Sequence, residues 1–483
     1  MEKNQFNNKV ANATKWSAYA EITAKLVGPI VNILLARILT PIEFGVVASI
    51  TIITSFADIF TDAGFQKYVI QHEFKNEKIL NEYSNVAFSS NIILSTIIFL
   101  IIVVFRFKLS ILIGCPTAST ALIVASISIL CTSFSSIAIA RFRRSLDFKS
   151  LFHIRLGSSL IPLFITVPLA FFLKSYWAIV IGSVSQQLFI ALMSIFISKY
   201  KPKFKIKYKI FKNMVSFSAW NLCETLSIWF AGQANIFIVG SVLSSYYLGL
   251  YKTGMSTINS YMSIVTATIS PVLFSALSRS QNNDETFKSI LFKFQKTIAL
   301  FIIPMGMGIL IYRDLVVQIL LGSQWKEIAD FMGLWALISS FTITFSNTAC
   351  EVYRGKGLPK ISFILQVIYM FVYIPVIYFS AHVGFGFLCI TSCLVRIFPI
   401  ILDFIVLRTK FGIELFKLLE NTFVQFLATG VMSIFAILFV NVTSNIVIQI
   451  ISVVICIIIY FGVIFCFPQM RKEYGHFLKT RKK

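Results

Sequence analysis

Three stretches of the chain, Leu109–Ala140, Ile361–Val395 and Asn421–Met470, contain no Asp, Glu, Lys or Arg. Crossing the hydrocarbon core of a bilayer takes about 20 predominantly apolar residues, so each stretch is long enough for one or two spans. Within lipid every backbone N–H and C=O must find its partner inside the protein, which leaves only helices and closed barrels. The ten-residue alternation of a barrel strand is absent, so the spans are read as helices. Only 13% of the 483 residues are charged and 57% are hydrophobic. So few charges cannot cover a water-facing surface, which excludes a soluble enzyme.

The apolar runs predict an all-α integral membrane protein of about 14 transmembrane helices: 16–38, 44–64, 84–105, 117–140, 151–172, 176–198, 213–239, 247–275, 297–320, 328–352, 361–381, 383–406, 419–440 and 445–467. Even parity puts both termini on one side. Of the 43 Lys and Arg, 33 lie on that side, against six in the opposite loops (Arg37, Arg106, Lys108, Lys174, Arg313 and Lys326). Cytoplasmic loops carry the Lys and Arg excess, so both termini are expected in the cytoplasm. The net charge of +23 is then a topology signal and gives no support to nucleic-acid binding.

The longest charged connection, KYKPKFKIKYKIFK (Lys199–Lys212), divides the chain near its middle. It is expected to fix topology and to bind anionic membrane lipids. Across it the halves show a weak internal repeat. At an offset of 204, Trp16 meets Trp220, Leu39 meets Leu243 and Gly45 meets Gly249; at 211, Phe134 meets Phe345, Ser135 meets Ser346 and Arg143 meets Arg354. Six spans separate the copies, so both share one orientation, as in parallel-repeat transporters. The expected organisation is an N-lobe over 1–205, a C-lobe over 206–412, and two additional spans with a basic tail over 413–483.

The spans contain four cations (Lys25, Arg155, Lys252, Arg396) and seven carboxylates (Glu21, Asp58, Asp62, Glu224, Glu351, Asp403, Glu420). Each is costly in the membrane and should face a cavity or a partner. Lys252, Ser256, Asn259, Ser263, Thr266 and Ser270 recur at intervals of three and four, which makes one helix face. Thr51, Ser55, Asp58 and Asp62 do the same in span 2, and Ser340, Thr344, Asn347 and Glu351 in span 10. Span 7 offers Asn221, Glu224, Gln233 and Asn235. Such residues also serve as glue between helices; a shared hydrophilic cavity between the lobes accounts for several stripes at once. The eight cysteines form no CxxC pair, and no metal site or cofactor is expected.

Several segments resemble a known family: NILLARILTPIEFGVVA (Asn32–Ala48), FTDAGFQKYVIQHE (Phe60–Glu73), ARFRRSLDFK (Ala140–Lys149), LGLYKTGMSTI (Leu248–Ile258), PVLFSALSRSQNN (Pro271–Asn283) and ILLGSQWKEIADFMGLWAL (Ile319–Leu337). Together they are similar to Wzx-type oligosaccharide flippases of the WzxC/TuaB-like branch, within the MOP superfamily that includes MATE exporters and MurJ. The resemblance implies a MATE/MOP-like fold of two pseudo-symmetric six-helix lobes plus two C-terminal helices. It implies translocation of undecaprenyl-pyrophosphate-linked oligosaccharide across the bacterial cytoplasmic membrane by alternating access, for O-antigen, capsule or exopolysaccharide synthesis. Lipid-linked oligosaccharide would be the substrate, with a polysaccharide polymerase and chain-length proteins as partners. Under that reading Lys25, Arg155, Lys252 and Arg396 are candidates to meet the pyrophosphate, and Asn221, Gln233, Asn235 and Asn259 the sugars. Glu21, Asp58 and Glu224 are candidates to carry a coupling proton or sodium ion. Two alternatives stay open: a MATE-like small-molecule or cation antiporter, and a membrane polymerase or ligase. The basic span residues weigh against the first. Short outer loops without a paired catalytic constellation weigh against the second, and no enzymatic activity is expected.

Overall fold

The computed structural model describes residues 16, 23, 27–62, 65–198, 200–442, 445–468 and 470–471, with backbone alone for 216–221, 224, 268, 270–272, 274–275, 359 and 441–442. Among the described residues all regular structure is helical. In chain order the helices are α1 (Val27–Ile38), α2 (Pro41–Asp62), α3 (Phe65–Gln71), α4 (Glu77–Leu112), α5 (Ser119–Arg144), α6 (Phe148–Ile161), α7 (Val167–Leu173), α8 (Trp177–Ile197), α9 (Tyr208–Val242) and α10 (Ser245–Arg279). They continue as α11 (Asp284–Ile311), α12 (Arg313–Leu320), α13 (Ala329–Phe341), α14 (Thr348–Gly355), α15 (Pro359–Val383), α16 (Phe385–Leu394), α17 (Ile397–Phe411), α18 (Leu415–Val442) and α19 (Ile446–Cys466). Two compact units result, one up to Lys252 and one from Thr253.

Among the described residues, twelve helical segments are long and apolar enough to cross a membrane. They coincide with twelve of the fourteen expected spans. The first expected span, 16–38, is described as a helix only over Val27–Ile38. The eighth, 247–275, is one unbroken helix, α10, and the side chains of 268, 270–272 and 274–275 within it lie outside the described residues. The expected span 297–320 is two elements: α11 starts earlier, at Asp284, and the chain bends at Tyr312 before the amphipathic α12.

In the first unit α5 is the central helix, packed against α2, α3, α4 and α8. It can be central because it is narrow. Ser126, Ser128, Ser133 and Ser135 turn their hydroxyls back onto carbonyls of their own helix, at 2.5–3.0 Å. Their polar groups are thus satisfied without a neighbour, and the small side chains admit close packing. In the second unit the corresponding stretch at offset 211 is α13, a π-helical segment Thr342–Asn347, and α14. These two stretches are the most buried spans, each 61% buried over its most apolar window. The added helices α18 and α19 pack together and onto α11, where the Tyr460 hydroxyl donates to the Leu300 carbonyl at 2.8 Å.

The connection before α9 is more ordered than a solvated linker. It runs extended along α4: the Tyr200 hydroxyl and the Lys203 amide both donate to Asn85 Oδ1, at 2.6 and 2.9 Å, and the Lys205 amide donates to Ser89 Oγ at 2.8 Å. Lys207 pairs with Glu82. Burial pushes the Tyr200 hydroxyl far above its usual range, so it stays a neutral donor.

The first unit also contains a backbone crossing at repeat-related positions. A Cβ on Gly45 would overlap the Ser245 carbonyl oxygen, and one on Gly249 would overlap the Pro41 carbonyl oxygen. Each glycine thus meets the residue four positions before the other. Gly249→Ala should lower the thermal midpoint of the detergent-purified protein, through overpacking of about 1–3 kcal/mol. Gly232→Ala, where nothing lies within 4 Å, should leave the midpoint unchanged or raise it. Equal midpoints for the two variants would show that the crossing tolerates a methyl group.

Candidate substrate site

The sequence at the middle of the twelfth expected span is Val395-Arg396-Ile397-Phe398-Pro399. Pro399 has no N–H to give the Val395 carbonyl and its ring clashes there. The span accordingly breaks between α16 and α17: the Val395 carbonyl accepts from the Phe398 amide at 3.1 Å, and the Arg396 amide donates to Cys393 at 3.2 Å. Arg396 sits at this break. Its guanidinium lies 4.0 Å from the centroid of the Trp335 ring and donates to Ser339 Oγ at 2.7 Å. Trp335 and Ser339 are four residues apart on α13, so they share a face. The Trp335 indole N–H donates in turn to Asn259 Oδ1 at 3.1 Å, on α10. Two of the expected site residues, Asn259 and Arg396, are therefore joined by a tryptophan between them. The result is a half-buried cation, an aromatic face and a carboxamide in one continuous array.

The first unit has a smaller counterpart. The Trp229 indole N–H donates to Ser55 Oγ at 3.0 Å, and its ring lies 5.0 Å from Phe56. Ser55 and Asn259 are related by the same offset of 204 that relates Gly45 to Gly249. Neither tryptophan was singled out from sequence. The available signal was that Trp normally sits at the membrane interface and needs a partner for its N–H when buried. Trp229 and Trp335 are instead far from their span ends, opposite polar stripes.

The remaining candidates are distributed differently. Asp58 is half-buried on α2, one turn beyond Ser55, and Gln233 is half-buried on α9, one turn beyond Trp229. Asn235 is buried on α9, Lys252 half-buried on α10, and Arg155 exposed on α6. Lys25 and Glu21 lie outside the described residues, as do the side chains of Asn221 and Glu224. Along α10, Ser256, Ser260 and Ser263 bond to carbonyls of their own helix at 2.7–3.1 Å.

Several other charges are absorbed by structure. Asp403, buried on α17, accepts from the hydroxyls of Ser346 and Tyr353, the latter at 3.0 Å. The three arginines at the end of α5 each have a separate anchor. Arg141 pairs with Glu77 at 2.9 Å and lies over the Tyr200 ring; Arg143 donates to Gln66 Oε1 at 3.0 Å. Arg144 donates to the carbonyls of Val69, Ile70 and His72, closing the end of α3. This signature segment clamps the end of α5 to α3 and to the start of α4.

The described fold and array are those of a polytopic helical membrane protein with polar groups gathered inside its spans. Over residues 34–330 the chain matches the family described as "Polysaccharide biosynthesis protein", and it belongs to that family. It is 24% identical to the "uncharacterized membrane protein in cps region" of Klebsiella pneumoniae, over 77% of this chain and 76% of that protein. It is 21% identical to the lipopolysaccharide biosynthesis protein WzxC of Escherichia coli (strain K12), over 83% and 81%. Its fold is that of the lipid II flippase MurJ in an inward closed conformation: TM-score 0.73, 16% identity, 95% of this chain and 98% of that one.

Trp335→Phe should remove one hydrogen bond, about 1 kcal/mol, and keep the ring beneath Arg396. Trp335→Leu should lose a further 1–2 kcal/mol or so of cation–π attraction. Thermal midpoints should therefore fall in the order wild type, Trp335→Phe, Trp335→Leu. Arg396→Lys, which lacks the planar fork, should resemble Trp335→Leu. Identical midpoints for the two Trp335 variants would remove the stacking from the account.

Proposed function

We propose that this protein moves undecaprenyl-pyrophosphate-linked oligosaccharide from the inner to the outer leaflet of the bacterial cytoplasmic membrane by alternating access. It acts as a flippase, not an enzyme, and both termini are cytoplasmic. The observation that carries the reading is the Arg396–Trp335–Asn259 array inside the spans of a polysaccharide biosynthesis family member. The names of the relatives and the MurJ-like fold support it.

The chemistry suits such a cargo. A pyrophosphate needs cations at close range, and a guanidinium gives it a planar fork of donors. Sugars need amides and hydroxyls for their hydroxyl groups, which Asn259, Gln233 and the α10 serines offer. Lys252 lies two turns from Asn259 on one face of α10 and would supply a second cation; Lys25 and Arg155 remain candidates for the same role. The lobes are 1–205 and 206–412, with 413–483 appended. Outward movement of an anionic headgroup is favoured by an inside-negative potential, by about 2.3 kcal/mol per charge per 100 mV. Coupling through Glu21, Asp58 and Glu224 would add to that drive.

Loss of the protein should trap lipid-linked oligosaccharide on the cytoplasmic leaflet, read by whether an external glycosidase or lectin reaches it in intact spheroplasts. Full external accessibility in the null strain would exclude the flippase reading. Lys252→Ala should abolish surface polysaccharide at unchanged protein abundance. The Glu21→Gln, Asp58→Asn, Glu224→Gln triple variant should transport more slowly and lose its dependence on an ion gradient; unaltered transport would eliminate ion coupling through these groups.

A further inference from the structure

On the side that the lysine asymmetry assigns to the cytoplasm, the second unit holds a cation cluster outside the span array. A cavity of about 400 Å³ lies between the start of α11, the turn after α14 and the end of α17, and is lined by Lys288, Lys356, Lys410 and Asp284, with Leu358 and Phe411 in its wall. The three lysines come from three separate elements. Lys356 is fixed: it donates to Asp284 Oδ1 at 2.6 Å and to the Gln281 carbonyl at 2.7 Å, and lies 4.6 Å from the Phe287 ring centroid. Lys288 reaches the Gly412 carbonyl at 3.4 Å. Lys410 has no hydrogen-bond or ion-pair partner among the described residues. Its place on the rim follows from the end of α17, where Gly412 takes the left-handed conformation (φ 59°) and the Ile413 amide folds back to the Leu407 carbonyl at 3.0 Å.

Three ammonium groups against one carboxylate leave two positive charges around a half-open cavity. Like charges gathered without counterions repel, and an anion in the cavity would relieve that repulsion. Basic pockets between membrane helices at the cytoplasmic side suit phosphate headgroups. The wall points to a lipid over a soluble phosphate: Leu358 is 45% exposed at the head of α15, and within two turns α15 presents Phe363 and Ile364, 63% and 55% exposed. We propose that this cavity binds the phosphate of an anionic inner-leaflet phospholipid, with Lys288, Lys356 and Lys410 around the headgroup and the chains along the α15 face. The site is distinct from the Arg396 array, and its occupant is a resident membrane lipid, not the cargo.

The test is native mass spectrometry of the purified full chain, titrated with phosphatidylglycerol or phosphatidylcholine. Wild type should retain phosphatidylglycerol and not phosphatidylcholine. The Lys288→Gln, Lys410→Gln variant should bind phosphatidylglycerol about 30-fold more weakly, from about 1 kcal/mol per lysine. A Lys75→Gln, Lys78→Gln control removes the same charge from exposed positions in the other unit and should bind as wild type does. Lys288→Arg, Lys410→Arg should also bind as wild type. If the double Gln variant does not fold, exposed Lys410→Gln alone should weaken binding about fivefold. Unchanged retention in the cavity variants, or an equal loss in the control, would overturn the site. Binding of inorganic pyrophosphate as tight as that of the lipid would overturn its assignment to a lipid. None of these readouts depends on transport, so their failure leaves the flippase reading intact.

Discussion

The hydrocarbon core offers a polar group no water, and the interior of this protein is organised by that lack. The serines of α5 bond to their own helix, which lets the helix be both polar in composition and central in packing. Asp403 is buried because two hydroxyls meet it. The arginines at the end of α5 are absorbed by carbonyls, an amide and a carboxylate. Once these are set aside, the described polar groups inside the spans that packing does not account for are few. Arg396 stands out because it lies where the span itself is broken. A broken span exposes backbone at membrane depth, an arrangement tolerated only where protein or a cavity surrounds it.

The repeat has physical content beyond matched letters. At one offset, 204, lie two pairs of positions with related surroundings. Gly45 and Gly249 each admit the other helix's backbone, and Ser55 and Asn259 each accept an indole N–H. Glycines that merely filled space would not have to coincide with the helix crossing, and the acceptors would not have to fall at one repeat position. The tryptophans themselves come from non-equivalent spans, α9 and α13, so the symmetry is one of acceptors and not of donors. A fold built from duplicated halves can keep a shared framework while each half recruits its own aromatic partner.

Much of the fold was legible because the membrane imposes a simple rule on sequence. Among the described residues, twelve expected spans are matched by twelve apolar helices. Of the remaining two, the first lies largely outside the described residues, and the other, α10, is a continuous helix with several side chains outside them. The break at Arg396 was also within reach, since Pro399 follows it by three residues, but a single proline is compatible with a continuous kinked span. The strap before α9 was not legible. Its alternating lysines read as a topology signal and a contact for anionic lipids, and the pinning of its backbone by Asn85 and Ser89 on α4 comes in addition. Those partners are more than 100 residues away, and nothing local marks them.

The sequence by itself determined that this is a multi-spanning helical membrane protein, and it carried the uneven spread of Lys and Arg and the matches at offset 204. These follow from hydropathy, charge asymmetry and spacing, all properties a chain carries before it folds. Only the tertiary structure decided which polar residues act together. Asn259 and Arg396 are 137 positions apart in the chain, and they meet through Trp335 because three helices converge at one depth. Which charges are consumed by packing and which remain for a cargo is fixed by such convergence, since a hydrogen bond requires a partner within about 3 Å and sequence spacing sets that distance only within a single helix.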